Sequence, residues 1–486
     1  MEFVLYFCVV FVATYKVYRL FLVPKGLQAV PKVSIVKLIL SLVRGESFDQ
    51  QFDRLVRPQL DNNGMARVWM RGLWDVMVCD AKLGRDILAS SNVFSKFPAG
   101  GDEQLTMLLA RKLFGESNII FSDDSDWRRH RKVAAPAFKK QWQPCLFGDA
   151  MQDLFSNLDK VEPILIHDQL QRLALDTLGK GVFGYDFRAL KDGEQNHYLK
   201  IYNNLNKMIF EPIYFMFPVL EKWVPSRQRG HQMKDEFRSF LKQVIADRKK
   251  KIVDGFQADD LLSLMIKETL SDNGCLSDEE VLNDVYVFFL AGHDTTANTL
   301  TSIIYYLSKH QDIQDRARQE VLAIVGDSKQ VICPTLEMTR SMDYISCIIK
   351  ESMRIITTVY QLRRYCRKDY PLDNGTVIPK GSTVIVHSWA IHHDPTIYPE
   401  PNIFNPDRFI DPHAIPAQNW MAFGSGSRKC IGTNFAQLEH KVVVAMLLQK
   451  YTFALGPNAS ASAPTINGAG LARLIDIDIV FTPRAK

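Results

Sequence analysis

Cys430 is set in the run Phe423-Gly424-Ser425-Gly426-Ser427-Arg428-Lys429-Cys430-Ile431-Gly432, and a helical pattern begins at Thr433. A thiol just ahead of a helix N-terminus meets the positive end of the dipole and free backbone N–H groups, and both favour the thiolate. Gly424, Gly426 and Gly432 let the backbone turn sharply and approach a flat ligand. Arg428 offers a cation for a carboxylate. These features suit a sulfur bound to a metal; a structural cysteine in a glycine-rich loop is the plain alternative. Three other groupings have chemical spacing. In Ala291-Gly292-His293-Asp294-Thr295-Thr296 an acid and two threonines break an apolar run over 285–290. Threonine back-bonding bends a helix and glycine loosens it. The flanking Phe288, Phe289 and Leu290 make that turn apolar all round, which favours an internal polar groove over a surface stripe. Glu351 and Arg354 stand three apart and can pair on one helix face, a common surface pairing when alone. Trp127 and Arg131 stand four apart and can reach one ligand group together.

The elements that must hold these groups are mostly helical. Ser277-x-x-Glu280 is a capping box that starts a long helix running to about His310. Residues 140–450 carry mainly helical periodicity. Strand-like pieces fall at 68–78, at 370–386 with Asp373-Asn374-Gly375 as turn chemistry, and at 473–481. The small, polar stretch 457–470 reads as a loop. The expectation is a mainly α protein with small β-sheets and no βαβ repeat.

The N-terminus is apolar over residues 3–13 and again over 20–23, with Lys16 and Arg19 between. A spanning helix needs ~20 mostly apolar residues, which is met if those two charges snorkel to the interface. With Lys25 and Lys32 they put positive charge after the run, so the rest of the chain faces the cytosol. A cleaved signal peptide would carry its charges at the other end; a buried core helix is the alternative. Residues 1–24 are therefore read as a membrane anchor and 25–486 as one catalytic domain. The balance of 59 Lys+Arg against 54 Asp+Glu, net +5, excludes a dedicated nucleic-acid binder. Eight scattered cysteines with no C-x-x-C pair exclude a disulfide scaffold or a cysteine-rich zinc site. Basic clusters lie at 128–132 and 248–251; the second reads as a solvated face.

With every fixed position filled, residues 423–432 resemble the haem-binding loop of the cytochrome P450 superfamily, F-G-x-G-x-R-x-C-x-G. The resemblance implies that fold behind the anchor helix, and haem b with Cys430 as the axial ligand of its iron. Glu351-x-x-Arg354 is similar to the family's E-x-x-R, and Pro406-Asp407-Arg408-Phe409 to its P-E-R-F with Asp for Glu. The implied role is a buried Glu351–Arg354–Arg408 network that locks the cysteine loop. Residues 291–296 resemble the family's oxygen-binding groove, where Thr295 hydrogen-bonds bound O2 and Asp294 relays protons. Trp127-x-x-x-Arg131 resembles W-x-x-x-R, and with Arg364 and Arg428 it is implied to hold the haem propionates. Thr357 departs from the family pattern, which has proline there, and is expected to alter a turn facing the substrate.

The implied activity is insertion of one oxygen atom from O2 into a hydrophobic or amphipathic small molecule, such as a steroid, fatty acid or aromatic metabolite. Electrons come from NADPH through a reductase, or from a cytochrome b-type donor docking near 128–132. The style of residues 209–227 resembles fungal microsomal members, implying an endoplasmic reticulum membrane. Apolar groups expected around substrate include Phe97, Leu105, Phe210, Phe215 and Phe217, with plain core packing as the alternative for each, and the aromatic, proline-broken stretch 210–218 is read either as dipping into the membrane interface or as a buried helix–helix connection. A reductase-independent haem-thiolate isomerase or peroxygenase, and a non-catalytic haem-binding protein, are the competing readings. Asp294-Thr295 speaks against the isomerase, which needs no proton relay to O2.

Overall fold

The computed structural model describes residues 22–70, 73–96, 108–159, 163–209, 211, 214, 220–221, 223–271, 274–461, 466–467 and 470–484. Residues 1–21 of the expected anchor lie outside this set, as do Phe97, Leu105, Phe210, Phe215 and Phe217. Among the described residues no helix is long and apolar enough to cross a membrane. The chain divides into two compact units.

The first unit takes residues up to 108, with 210–224 and 361–387. Its helix α1, Ile35–Val43, is seven-ninths apolar, yet only Leu38 and Ser41 are buried. Val36, Ile39, Leu40, Leu42 and Val43 all face solvent. A five-stranded sheet follows, built from β1 (Met65–Met70), β2 (Leu73–Val78), β3 (Phe94–Ser95), β4 (Gln361–Cys366) and β5 (Thr383–His387), in the order β1-β2-β5-β4-β3. Only β2 and β5 run parallel, with Val76 opposite Val384. Val76, Val384, Ile385 and Val386 are fully buried, the β-branched composition expected of interior strands. Of the stretch read at 370–386, only 370–378 forms a hairpin, with Tyr370 opposite Ile378 and Gly375 at φ 83° in its turn, while 383–386 runs in β5 of the larger sheet.

The second unit is helical. It contains α2 (Asp124–Lys139), α3 (Ile166–Leu178), α4 (His197–Ile209), α5 (Ser226–Val253), α6 (Asp278–Lys309), α7 (Asp343–Ile355) and α8 (Thr433–Lys450). The capping box at the start of α6 is complete: the Glu280 amide donates to Ser277 Oγ at 3.2 Å, and the Ser277 amide to Glu280 Oε2 at 2.7 Å. From Val281 to Ser308 nearly every α6 side chain is buried, so this helix is the centre of the unit. α3 lies along it, and α7 and α8 pack on it as well. A small sheet joins Ile164–Leu165, Asp478–Pro483 and Tyr451–Leu455.

Two local expectations need correction. Part of 457–470 is ordered structure, because the buried Asp478 carboxylate accepts the Asn458 and Ala459 amides and holds the helix Pro457–Ala461. Arg248 is not on a solvated face. It is buried, paired with Asp260 at 3.1 Å, and donates to the carbonyls of Phe183 and Gly184.

Candidate functional site

The cysteine loop is held by its own backbone. Gly424 and Gly426 sit at φ 72° and 71°, where a side chain would be strained. The Gly424 amide donates to Met421 O at 2.8 Å, and the Cys430 amide to Phe423 O at 2.9 Å, closing the loop on itself. Thr433 Oγ1 donates to Cys430 O at 2.9 Å and ties the loop to the first turn of α8. Cys430 is open to solvent on one side. The protein mass behind its sulfur raises the thiol pKa above the usual cysteine value; the Gly432 amide, Arg131, Thr433 and Lys429 pull it back.

Arg131 is half-buried on α2, and burial lowers its pKa while Cys430 opposes that shift. No carboxylate among the described residues pairs with it. Trp127, one turn earlier, lies under Arg428, whose guanidinium carbon is 4.2 Å from the ring centroid. Arg428 also donates to Asp123 Oδ1 at 2.9 Å and Ser122 O at 2.6 Å. Thus Trp127, Arg131, Arg428 and Cys430 share one region of the second unit. Arg364 belongs to the first unit, buried on β4, with Nη1 donating to Arg363 O at 2.8 Å. The basic run around Arg131 is not one face: Arg129 pairs with Asp126 and Glu280, and His130 is buried against Asp284.

Glu351, Arg354 and Arg408 form one buried network. Arg354 makes a two-pronged pair with Glu351, 2.7 and 2.8 Å, and donates to His392 O at 2.8 Å. Arg408 Nε reaches Glu351 Oε1 at 3.2 Å, and the Asn405 amide reaches the same oxygen at 2.9 Å. Such a buried, fully bonded guanidinium–carboxylate pair is rigid, with planar geometry on both sides.

On α6, Thr295 is half-buried and its hydroxyl donates to Ala291 O at 2.7 Å; Thr296 does the same to Gly292 O at 2.9 Å. Asp294 is buried and is enclosed by Gln171 from α3 and by Tyr202 and Asn206 from α4.

Sequence reading missed His392 and Glu439, and the partners of Thr357. Thr357 is buried, with its hydroxyl bonded to Arg354 O and His392, so its side chain belongs to this network. His392 Nε2 in turn accepts the Met421 amide at 2.9 Å, just ahead of the cysteine loop. Glu439 is buried in α8 beside Thr177. Glu439 stands in the polar triplet Glu439-His440-Lys441, so nothing local marks it as buried, and nothing local marks His392. The assembly can hold a flat group that brings its own acidic arms to Arg131 and an open coordination position to the Cys430 sulfur.

The chain matches the family model "Cytochrome P450" over residues 30–474. It is 28% identical over 424 residues to cytochrome P450 3A41 of Mus musculus, covering 79% of this chain and 82% of that one. It is 25% identical over 463 residues to the cytochrome P450 monooxygenase xanG of Aspergillus fumigatus, covering 90% and 84%. Among solved structures it is similar to the cytochrome P450DA heme domain, with TM-score 0.77, 23% identity, and 90% and 92% of the two chains covered, a likeness of fold.

Proposed function

The chain belongs to the cytochrome P450 family, and on that premise we propose that it inserts one atom of O2 into a hydrophobic or amphipathic small molecule, using electrons that originate in NADPH. The family's cofactor is a haem whose iron is held by a cysteine thiolate. The residues present suit that group. Arg131 is a half-buried guanidinium with no carboxylate partner among the described residues, as a propionate partner should be. The left-handed Gly424 and Gly426 keep side chains away from a flat face.

Cys430 is assigned as the axial ligand, and Trp127, Arg131, Arg428 and Arg364 as the groups that orient the propionates. Glu351, Arg354 and Arg408 keep the ligand loop in place. Thr295 and Asp294 handle protons on the face of α6. When bound, the haem supplies the redox chemistry of O2 activation; the protein supplies position, dryness and protons. Steroid, fatty acid and aromatic substrates all fit this reading.

The donor is a flavoprotein reductase or a cytochrome b-type protein, drawn by the exposed Arg128, Lys132 and Lys429. Residues 1–24 anchor the protein in the endoplasmic reticulum membrane, with 25–486 as the catalytic domain facing the cytosol. The open apolar face of α1 supports a membrane-side surface in the first unit.

The Cys430 loop carries the proposal. The test compares reduced, carbon-monoxide-treated wild type with Cys430→Ser. A thiolate-type haem band in the first and its absence in the second are expected; the same band in both overturns the assignment. Turnover with NADPH and reductase, set against hydroperoxide alone, separates a monooxygenase from a reductase-independent enzyme.

A further inference from the structure

Gly148 is the fourth residue of the helix Cys145–Leu158, inside which glycine is a weak choice. Its missing side chain is space that Cys333 fills. Cys333 Sγ occupies the place of a Gly148 Cβ, and Cys333 Cβ stands 2.9 Å from it, so no side chain fits at 148 without moving Cys333. Residues three apart in a helix share a face, with Cβ atoms about 5–6 Å apart. The Cys333 sulfur therefore rests on the helix face that begins with Cys145. Both thiols are free.

The two sulfurs differ in access. Cys145 opens the helix and is exposed to solvent. Cys333 is half-buried behind it. Burial lifts the Cys333 thiol to about 11; Cys145 and Asp149 add to the rise, and the Gly148 amide opposes it. Cys333 thus keeps its hydrogen at neutral pH while standing within electrostatic reach of Cys145. The remaining thiols Cys79, Cys347 and Cys366 are buried.

Both segments flank α8. Ile332, next to Cys333, is clamped to it by a reciprocal pair: the Ile332 amide donates to Gln449 Oε1 at 2.9 Å, and Gln449 Nε2 to Ile332 O at 2.9 Å. From the helix, Phe147 packs edge-on against Phe435 of α8, with ring centroids 5.0 Å apart. Met446 Sδ, also on α8, lies 3.7 Å from the Gly148 position. A bond between Cys145 and Cys333 would close a strap around the helix that follows the Cys430 loop.

We infer that Cys145 and Cys333 form a peroxide-reactive dithiol, and that their disulfide braces α8. The oxidant is hydrogen peroxide or a small organic hydroperoxide. The Cys145 sulfur, as thiolate, attacks one peroxide oxygen. The O–O bond breaks, an S–O bond forms, and the second oxygen leaves and is protonated to water or alcohol. The Cys333 sulfur then attacks the sulfenic sulfur of Cys145. The S–S bond forms as the S–O bond breaks, and the departing hydroxide takes the Cys333 proton as water. The two thiols lose two electrons in all, and the peroxide gains them. Exchange with small thiols reverses the link, so in a reducing compartment it is transient. The link closes ~190 residues of chain, which restricts the unfolded state more than the folded one.

The test treats the full, haem-loaded chain with hydrogen peroxide at neutral pH, alkylates the remaining thiols and maps the peptides by mass spectrometry. The expected result is a linked Cys145–Cys333 peptide pair that dithiothreitol removes, with both thiols lost to alkylation. In Cys333→Ala, dimedone should trap Cys145 as its sulfenic acid; in Cys145→Ser, Cys333 should stay alkylatable. Wild type whose two cysteines both remain alkylatable after peroxide, or whose Cys145 oxidises further while Cys333 stays alkylatable, overturns the pair. Thermal unfolding then reads the brace. The linked protein should unfold at a higher temperature than the same sample after dithiothreitol, and keep its carbon-monoxide band longer on heating; Cys145→Ser should show neither shift. Equal midpoints for the linked and reduced forms overturn the bracing role. Neither thiol belongs to the haem site, so turnover of Cys145→Ser without peroxide should match wild type, and the peptide map stands apart from the monooxygenase reading.

Discussion

Thr357 Oγ1 stands 2.7 Å from His392 Nδ1 across 35 residues of chain, and also donates to Arg354 O at 2.9 Å. A hydroxyl has one hydrogen, and Arg354 O takes it. His392 Nδ1 must therefore donate to Thr357, leaving Nε2 free to accept the Met421 amide. One neutral tautomer thus links the Glu351–Arg354 pair to the segment entering the cysteine loop. Thr357→Val leaves a buried N–H without an acceptor and should cost about 1–3 kcal/mol. Thr357→Ser should recover most of it. Denaturant unfolding, followed alongside retention of the thiolate-type haem band, measures both.

Arg354 matches both oxygens of Glu351 with no exposure to water. Removing one member strands a buried charge, so Glu351→Ala should destabilise by about 3–5 kcal/mol. Arg354→Lys cannot make the two-pronged contact or reach His392 O at once, and should lose haem on mild heating. An unaltered unfolding midpoint in both variants would show that the network is dispensable.

Glu439 offers a stability test with a definite sign. Thr177 Oγ1 donates to Glu439 Oε1 at 2.6 Å, while Glu439 Oε2 has no hydrogen-bond partner. Burial raises the Glu439 pKa from 4.5 to about 8. Between those values the folded state keeps the proton that the unfolded chain releases. This contribution is whole below 4.5 and fades as pH rises through about 8. Glu439→Gln keeps an acceptor for Thr177 and does not titrate. Its stability advantage over wild type should grow across that window to about 5 kcal/mol, read from unfolding curves at a series of pH values. A flat difference refutes the neutral acid.

Acid should weaken the fold through other buried rings. His387 and His440 have pKa values lowered to about 3, and His167 to about 4, in each case chiefly by burial. Below the usual histidine value the unfolded chain binds protons that the folded rings refuse, so stability falls as pH drops from 6.5 toward those values. Each ring contributes about 1.4 kcal/mol of loss by pH ~5.5. His440 has no hydrogen-bond partner for either nitrogen. His440→Leu should therefore remove one share of this acid slope and cost little at neutral pH, as urea midpoints would report.

The cysteine loop was legible because its chemistry is local: glycines, cysteine and helix start lie within ten residues. The same holds for the Ser277–Glu280 cap and the Glu351–Arg354 spacing. Thr357 with His392 and Thr177 with Glu439 were not, since each partnership is created by packing distant segments. Arg248 misled for the same reason. Its counter-charge, Asp260, is near in sequence, but the Phe183 and Gly184 carbonyls that make burial tolerable are more than sixty residues away. The strands of the first unit showed as patterns, but nothing local says that β2 pairs in parallel with β5, some three hundred residues later.

Helix α1 keeps its oily side bare in a part of the chain that begins after the N-terminal run. Trimming that run would thus leave a greasy particle, one that clusters with itself or clings to detergent micelles. Charged replacements at Val36, Leu40 and Val43 are the practical route to a well-behaved soluble preparation.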